Sequence, residues 1–331
     1  MPFQGRWKRR KKMIHLNNVT RTFSNLKAIS QVNLVISQGD IIGVVGKNGA
    51  GKTTLLKMIA GNLQPSEGSI SVNGEDIFIR GQKYKYNVGF SSGNTSGLYM
   101  KMSVWDNITF FASMFRVPRK VARNRAAELL RYFDLYEKRD SSIGSLSTGM
   151  KLKLKLAIAV IHTPTILILD EATSGMDYDA VQKTMELIRF LNKNCGTTVL
   201  FTTHKISEID SIANKIIILD SGHVISKGLI EQYYSDYRSM VCIKAVANKK
   251  DEEYIVTALS QRKDIKLFEV EPGKEDHLLN IKIYTVINQR DIYEFIRGYI
   301  PNVELSAIWS EDLDLESMIK IICKGVESYE N

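Results

Sequence analysis

The chain has 331 residues, 44% hydrophobic and 24% charged, which suits one large or two ordinary globular domains and excludes a disordered chain. Its net charge of +9 is uneven, with +6 in residues 1–12, +8 in 13–235 and −5 in 236–331. A basic balance suggests nucleic acid or an anionic membrane as a partner only as a starting expectation. No apolar run approaches the roughly 18–20 residues of a membrane-spanning helix, and the few, scattered cysteines (Cys195, Cys242, Cys323) fit a reducing compartment without disulfides.

Residues 1–12 form a basic tail with Trp7 in it. No apolar segment follows, so a secretory signal is not expected. The tail has two readings, a contact for anionic lipid or a solvated end. From residue 13 onward, Ile- and Val-rich runs predict strands at 13–19, 32–36, 40–45, 69–72, 165–169, 197–202 and 215–220. Helical patterns lie among them at 52–60, 104–114, 119–133, 148–161, 180–194 and 207–213. This alternation predicts an α/β fold with a mostly parallel core sheet and antiparallel strands at the N-terminus. Residues 101–155 read as helix after helix, a helical insertion.

A polar stretch at 231–239 is the expected linker, dividing a domain at 13–235 from one at 236–331. The second domain predicts strands at 240–246, 265–270, 277–284 and 303–309, with helices at 252–262, 291–299 and 315–324. That β-α-β-β-α-β order is the one of the ferredoxin-like split βαβ motif, an α+β arrangement.

The strongest local signal is Gly46-Lys47-Asn48-Gly49-Ala50-Gly51-Lys52-Thr53, which fits G-x-x-x-x-G-K-[ST]. Glycines let successive backbone N–H groups converge on phosphate oxygens. Lys52 can then reach the β- and γ-phosphates, and the Thr53 hydroxyl can ligate Mg²⁺. A predicted strand stands just before the loop and a helix begins at Lys52, whose N-terminal dipole favours the same anion. A second part lies at 165–171, an apolar run that ends in Asp170-Glu171. At a strand's C-terminal end Asp170 can hold Mg²⁺, and Glu171 can act as general base toward water.

With these residues in hand, positions 13–227 resemble the ATP-binding subunit of an ATP-binding cassette (ABC) transporter. Leu146-Ser147-Thr148-Gly149-Met150 resembles the L-S-G-G-Q signature, with Thr148 and Met150 as departures. Ser147–Lys153 has the S-x-G-M-K-x-[KR] form of the type-2 exporter ATPases. Ser147 also suits the N-cap of the helix that follows. Ser174-Gly175-Met176-Asp177 resembles the D-loop, and His204 the switch histidine, 33 residues after Glu171. Phe23 takes the place of the aromatic that stacks on adenine, although a core role suits it nearly as well. The resemblance implies ATP and Mg²⁺ as cofactors. It implies nucleotide contacts from Phe23, Gly46, Asn48, Gly49, Ala50, Gly51, Lys52, Thr53 and Thr54, and from Ser147, Gly149 and Asp177. Catalysis falls to Glu171, His204 and Lys52, and metal contacts to Thr53, Asp170 and Asn94. The family's glutamine between P-loop and signature is missing. Asn94 is its chemical stand-in, and Gly93 is the alternative occupant of the slot.

The implied activity is ATP hydrolysis that powers an exporter from the cytoplasmic face of the membrane. The implied partners are a separate permease chain and a second cassette, as a homodimer or with a sister subunit. Residues 101–155 hold +7 of the cassette's +8, on the segment that lies beside the membrane subunit in this family. A solvated helix face explains the same charge. The rival reading is a soluble ABC ATPase acting on nucleic acid or ribosomes. Only 95 residues separate Lys52 from Ser147, with no heptads and no second P-loop, so no nucleic-acid partner is expected.

Overall fold

Alternating burial builds the first layer. The strands β1 (Met13–Phe23) and β2 (Leu26–Ser37) pair antiparallel. In β2, Ile29, Val32, Leu34 and Ile36 are buried while their neighbours face outward, as expected of a sheet covered on one side. The computed structural model describes residues 13–262, 265–273, 275–286, 300, 303 and 305–327. These fall into two units, divided between Gly228 and Leu229.

In the first unit, β3 (Ile41–Val45) is buried at every position and runs into the P-loop and α1 (Lys52–Ile59). The strands β4 (Glu67–Val72) and β5 (Glu75–Asp76) complete an outer sheet of order β2-β1-β4-β5. Two short helices, α2 (Ile77–Arg80) and α3 (Gln82–Lys85), lead to β6 (Val88–Ser92). Next come α4 (Val104–Met114), α5 (Arg119–Tyr132) and α6 (Thr148–Val160), with no strand between them, as the helical insertion requires. The chain returns through β7 (Ile166–Asp170), α7 (Tyr178–Phe190) and β8 (Thr198–Thr202). It then forms α8 (Ile206–Ile212), β9 (Lys215–Asp220) and β10 (His223–Leu229).

The core sheet has the order β10-β9-β3-β8-β7-β6. The pairs β9–β3, β3–β8, β8–β7 and β7–β6 are all parallel. The C-terminal ends of β3, β7 and β8 therefore share one edge, where ligands of open α/β sheets bind. Neither β6 nor β10 is among the predicted strands. In β6 two serines and a glycine dilute the apolar signal, and its pairing with β7 supplies what the local sequence does not.

In the second unit, α9 (Ile230–Asp236) occupies most of the stretch expected to be a linker. That expectation is corrected. Buried Ile230 and Tyr233 give 230–236 an apolar side, and the division falls before it rather than at 235. The strands β11 (Met240–Asn248), β12 (Ile265–Pro272), β13 (Leu278–Val286) and β14 (Leu305–Asp312) form a sheet of order β12-β13-β11-β14. Because β11 and β12 both run antiparallel to the β13 between them, they are parallel to each other with one strand inserted. That is the split βαβ arrangement. The helix α10 (Glu252–Ser260) packs Ile255 and Leu259 against Ile243, Ile281 and Ile283 of the sheet. The last helix is α11 (Leu315–Glu327). The helix expected at 291–299 lies outside the described residues.

His162, just past α6, stacks on Phe115 at 3.8 Å with the rings 9° from parallel. Its Nε2 lies 3.2 Å from the Val88 carbonyl, and its buried Nδ1 has no partner among the described residues. Burial pushes its pKa down to about 4, and nearby Arg125 adds to the shift. An unfolded histidine titrates near 6.5, so the unfolded chain takes up this proton first as pH falls. The stabilisation is complete above about pH 6.5 and is lost progressively toward pH 4, roughly 3 kcal/mol in total. Urea midpoints measured from pH 7 to pH 4.5 are expected to fall more steeply for the wild type than for His162→Gln. Parallel slopes would reject this origin.

Candidate functional site

The P-loop spans the turn from β3 to α1. Gly51 has φ +99°, and a Cβ there would meet the Ala28 carbonyl at 2.4 Å and Ile29 Cδ1 at 2.7 Å. Only glycine satisfies both conditions. The loop is thereby pressed on β2, and the Gly222 N–H donates to Ala50 O at 3.2 Å from the β9–β10 turn. Lys52 is buried, and its Nζ donates to Gly46 O at 2.7 Å and Lys47 O at 3.1 Å. The ammonium thus rests on the loop's own carbonyls. Thr53 and Thr54 follow in the first turn of α1, while Lys47, Asn48 and Gly49 are exposed.

Asp170 closes β7 opposite this turn. The carboxylate is buried, and its Oδ1 accepts from Thr53 Oγ1 at 3.1 Å and from Thr202 Oγ1 at 2.9 Å. Asp170 and Thr202 are register partners at the ends of β7 and β8. The Thr53 hydroxyl beside the Asp170 carboxylate is an all-oxygen set that fits a small, hard cation such as Mg²⁺. No group of three or more His, Cys, Asp or Glu suited to a metal occurs among the described residues.

Glu171 comes next, in the left-handed region at φ 54°. A non-glycine residue there needs support from its surroundings. Its N–H donates to Thr202 Oγ1 at 2.9 Å and to Thr202 O at 3.2 Å. Its Oε2 lies 3.1 Å from His204 Nε2, at which distance the N–H donates to the carboxylate. Both side chains border a cleft of about 120 Å³ that also involves Thr173, Ser174, Thr203 and Glu208. Residues 33 apart in the chain are thus brought together.

The segment 93–96 holds both candidate occupants of the missing glutamine's slot. The Gly93 N–H donates to Asp170 O at 2.8 Å, and a Cβ at Gly93 would meet the Glu171 carbonyl at 2.5 Å. No side chain fits there. Asn94 makes its described hydrogen bonds elsewhere than with Thr53 or Asp170. Its Oδ1 accepts from Ser96 Oγ at 2.5 Å and Ser96 N at 3.1 Å, and Lys155 Nζ approaches it at 3.3 Å. Lys155, from α6, also donates to Asn94 O at 2.6 Å and Ser92 Oγ at 3.0 Å. Burial lowers its pKa. Nothing in the local sequence singles out Lys155, because the contact spans 61 residues.

Ser147 is the N-cap of α6 and accepts from the Met150 N–H at 3.2 Å. Asp177 is the N-cap of α7, accepting from the Ala180 N–H at 2.8 Å, and pairs with Lys153 at 3.0 Å. These contacts hold its carboxyl below the usual range, the helix N–H first and Lys153 next. Ser147 and Asp177 therefore make their described bonds within the helical region and the D-loop, not with the P-loop. Gly149 lies near the Gly175 carbonyl of the same D-loop. Phe23 is 42% exposed at the end of β1, with the Arg21 guanidinium 4.6 Å from its ring centre. A core role is ruled out. Sequence reasoning missed Thr202 and Glu208, whose hydroxyl and carboxylate reach the site only through strand register and the start of α8.

Residues 29–174 match the ABC transporter family model. The chain is 34% identical over 231 residues to the ABC transporter ATP-binding protein NatA of Bacillus subtilis, covering 69% of this chain and 94% of that protein. It is 28% identical to the linearmycin resistance ATP-binding protein LnrL of the same organism, covering 78% and 83%. It is 31% identical to the methionine import ATP-binding protein MetN of Corynebacterium glutamicum, covering 71% and 67%. Among solved structures, an ATP-binding subunit of an ABC transporter shares the fold with TM-score 0.64 at 24% identity, covering 68% and 93%. The dimeric post-hydrolysis state of the ATP-binding cassette MJ0796 bound to ADP and Pi matches with TM-score 0.61 at 26% identity, covering 66% and 98%.

Proposed function

The chain belongs to the family of ABC transporter ATP-binding proteins, and from that premise we propose that it is the ATPase subunit of a membrane exporter. Hydrolysis of ATP is the activity of this family. The observation that carries the ATPase part of this reading is the meeting of Lys52, the Thr53–Asp170 pair and the Glu171–His204 pair at one edge of a parallel sheet.

In this reading Lys52 leaves the loop carbonyls to contact the β- and γ-phosphates. Thr53 and Asp170 would hold Mg²⁺, which would supply neutralisation of phosphate charge. Glu171 takes the proton of the attacking water, and His204 orients that carboxylate. Phe23, exposed at the strand end, receives the adenine. Ser147 and Gly149 complete the site of a second cassette, paired head to tail, since their own P-loop does not engage them. The dimeric cassette among the structural matches supports that pairing. The partner cassette is a second copy or a sister chain.

No helix among the described residues is long and apolar enough to cross a membrane. In keeping with the family, the proposal assigns the transport path to a permease partner, with this chain peripheral on the cytoplasmic face and the acidic second domain accessory to it. The signature form Ser147–Lys153 and the resistance-type relative support export, although import proteins share the same cassette. Fractionation is expected to find the chain with membranes, released by alkaline washing, and absent from ribosomes. Recovery with ribosomes alone would sink the transporter reading. Direction is tested by metabolite profiling of a deletion strain. Export predicts cargo accumulating in the cell, and depletion would mean import.

A further inference from the structure

We propose that Glu208 is a positioning residue for hydrolysis, whose carboxylate clamps together the two loops that carry Glu171 and His204. Glu208 stands in the first turn of α8 and is 8% exposed. A single oxygen, Oε2, accepts from Thr173 Oγ1 at 2.9 Å and from Thr203 Oγ1 at 2.8 Å. Thr173 lies two residues after Glu171, on the loop from β7. Thr203 immediately precedes His204, on the loop from β8. The clamp therefore joins the two loops within two residues of the Glu171–His204 contact.

That contact needs such support. The side chains of Glu171 and His204 are 35% and 55% exposed, so packing does not fix either one. Glu171 also holds a left-handed backbone conformation that its surroundings must maintain. Further bonds tighten the same loops. The Ser174 N–H donates to Glu171 O at 3.0 Å, and the Lys205 N–H donates to Thr203 Oγ1 at 3.1 Å. A buried carboxylate whose described partners are two neutral hydroxyls is costly to desolvate. Helix capping does not account for it, because its acceptor oxygen is turned onto two loops rather than onto the N–H groups of α8.

The test rests on the ATPase reading and compares variants of the full chain under conditions where the wild type turns over ATP. A wild type without turnover would count against that reading, not against the clamp. Glu208→Ala is expected to lower kcat about 10- to 100-fold, as loss of two buried hydrogen bonds implies, with ATP affinity within twofold. Glu208→Gln keeps an accepting oxygen at the same reach and is expected to recover most of the rate. Thr173→Val and Thr203→Val are each expected to lower kcat with ATP affinity retained, and to add little on top of Glu208→Ala. Wild-type kcat in Glu208→Ala would overturn the clamp, as would equal loss of rate and ATP affinity, or a Gln variant as impaired as Ala. Should Glu208→Ala fail to fold, the two Val variants decide, and wild-type turnover in both would overturn the proposal.

Discussion

Glu171→Gln is expected to bind ATP as the wild type does and to hydrolyse it about 100- to 10,000-fold more slowly, the usual range for losing a general base. The amide is isosteric, so the left-handed backbone at Glu171 and its N–H bonds to Thr202 are retained. The contact with His204 Nε2 at 3.1 Å also survives, because the amide oxygen still accepts. What is lost is the ability to take a proton from water. Pre-steady-state hydrolysis measured beside equilibrium ATP binding separates the two effects. Near-wild-type turnover would remove Glu171 from the base role, and weakened ATP binding would point to a structural one.

The second large effect is expected at Lys52, where it falls on binding. Lys52→Met removes the ammonium and keeps much of the aliphatic stem. In the free protein that ammonium rests on Gly46 O and Lys47 O at 2.7 and 3.1 Å. It is thus already placed within the loop that receives the phosphates and need not be recruited from solvent. Exchanging two carbonyl acceptors for phosphate oxygens yields stronger, charge-assisted bonds. Loss of one such interaction costs about 1.5–3 kcal/mol, or roughly 10- to 150-fold in ATP affinity. Calorimetric titration with ATP and with adenosine provides the check. A selective loss for ATP is expected, and an equal loss for both would indicate a collapsed loop.

The fold and the site were legible to different depths. Strands such as β3, β7 and β8 are buried at every position and announce themselves as runs of mainly apolar or β-branched residues. The edge strand β6 and the return strand β10 do not, because sheet pairing rather than local composition makes them strands. The stretch at 231–239 looked polar enough for a linker, yet two buried residues one turn apart, Ile230 and Tyr233, suffice to make most of it a helix. Asn94 shows what chemical analogy leaves out. Its amide oxygen has the character of the missing glutamine's, and what the sequence does not show is that Ser96 and Lys155 both donate to it.

By itself the sequence determined what contiguous residues determine. The P-loop spacing specifies where the glycines, Lys52 and Thr53 fall, because a turn of eight residues has almost no freedom once its glycines are set. An apolar run ending in Asp170-Glu171 likewise puts both acids at a strand end. The tertiary structure alone decided which of these parts meet. Parallel register brings Asp170 level with Thr202, and that in turn sets Glu171 against His204. The turn into α8 then aims Glu208 at hydroxyls on both loops. Those contacts join residues separated by tens of positions and depend on how buried strands align, a property of the whole sheet rather than of any one segment.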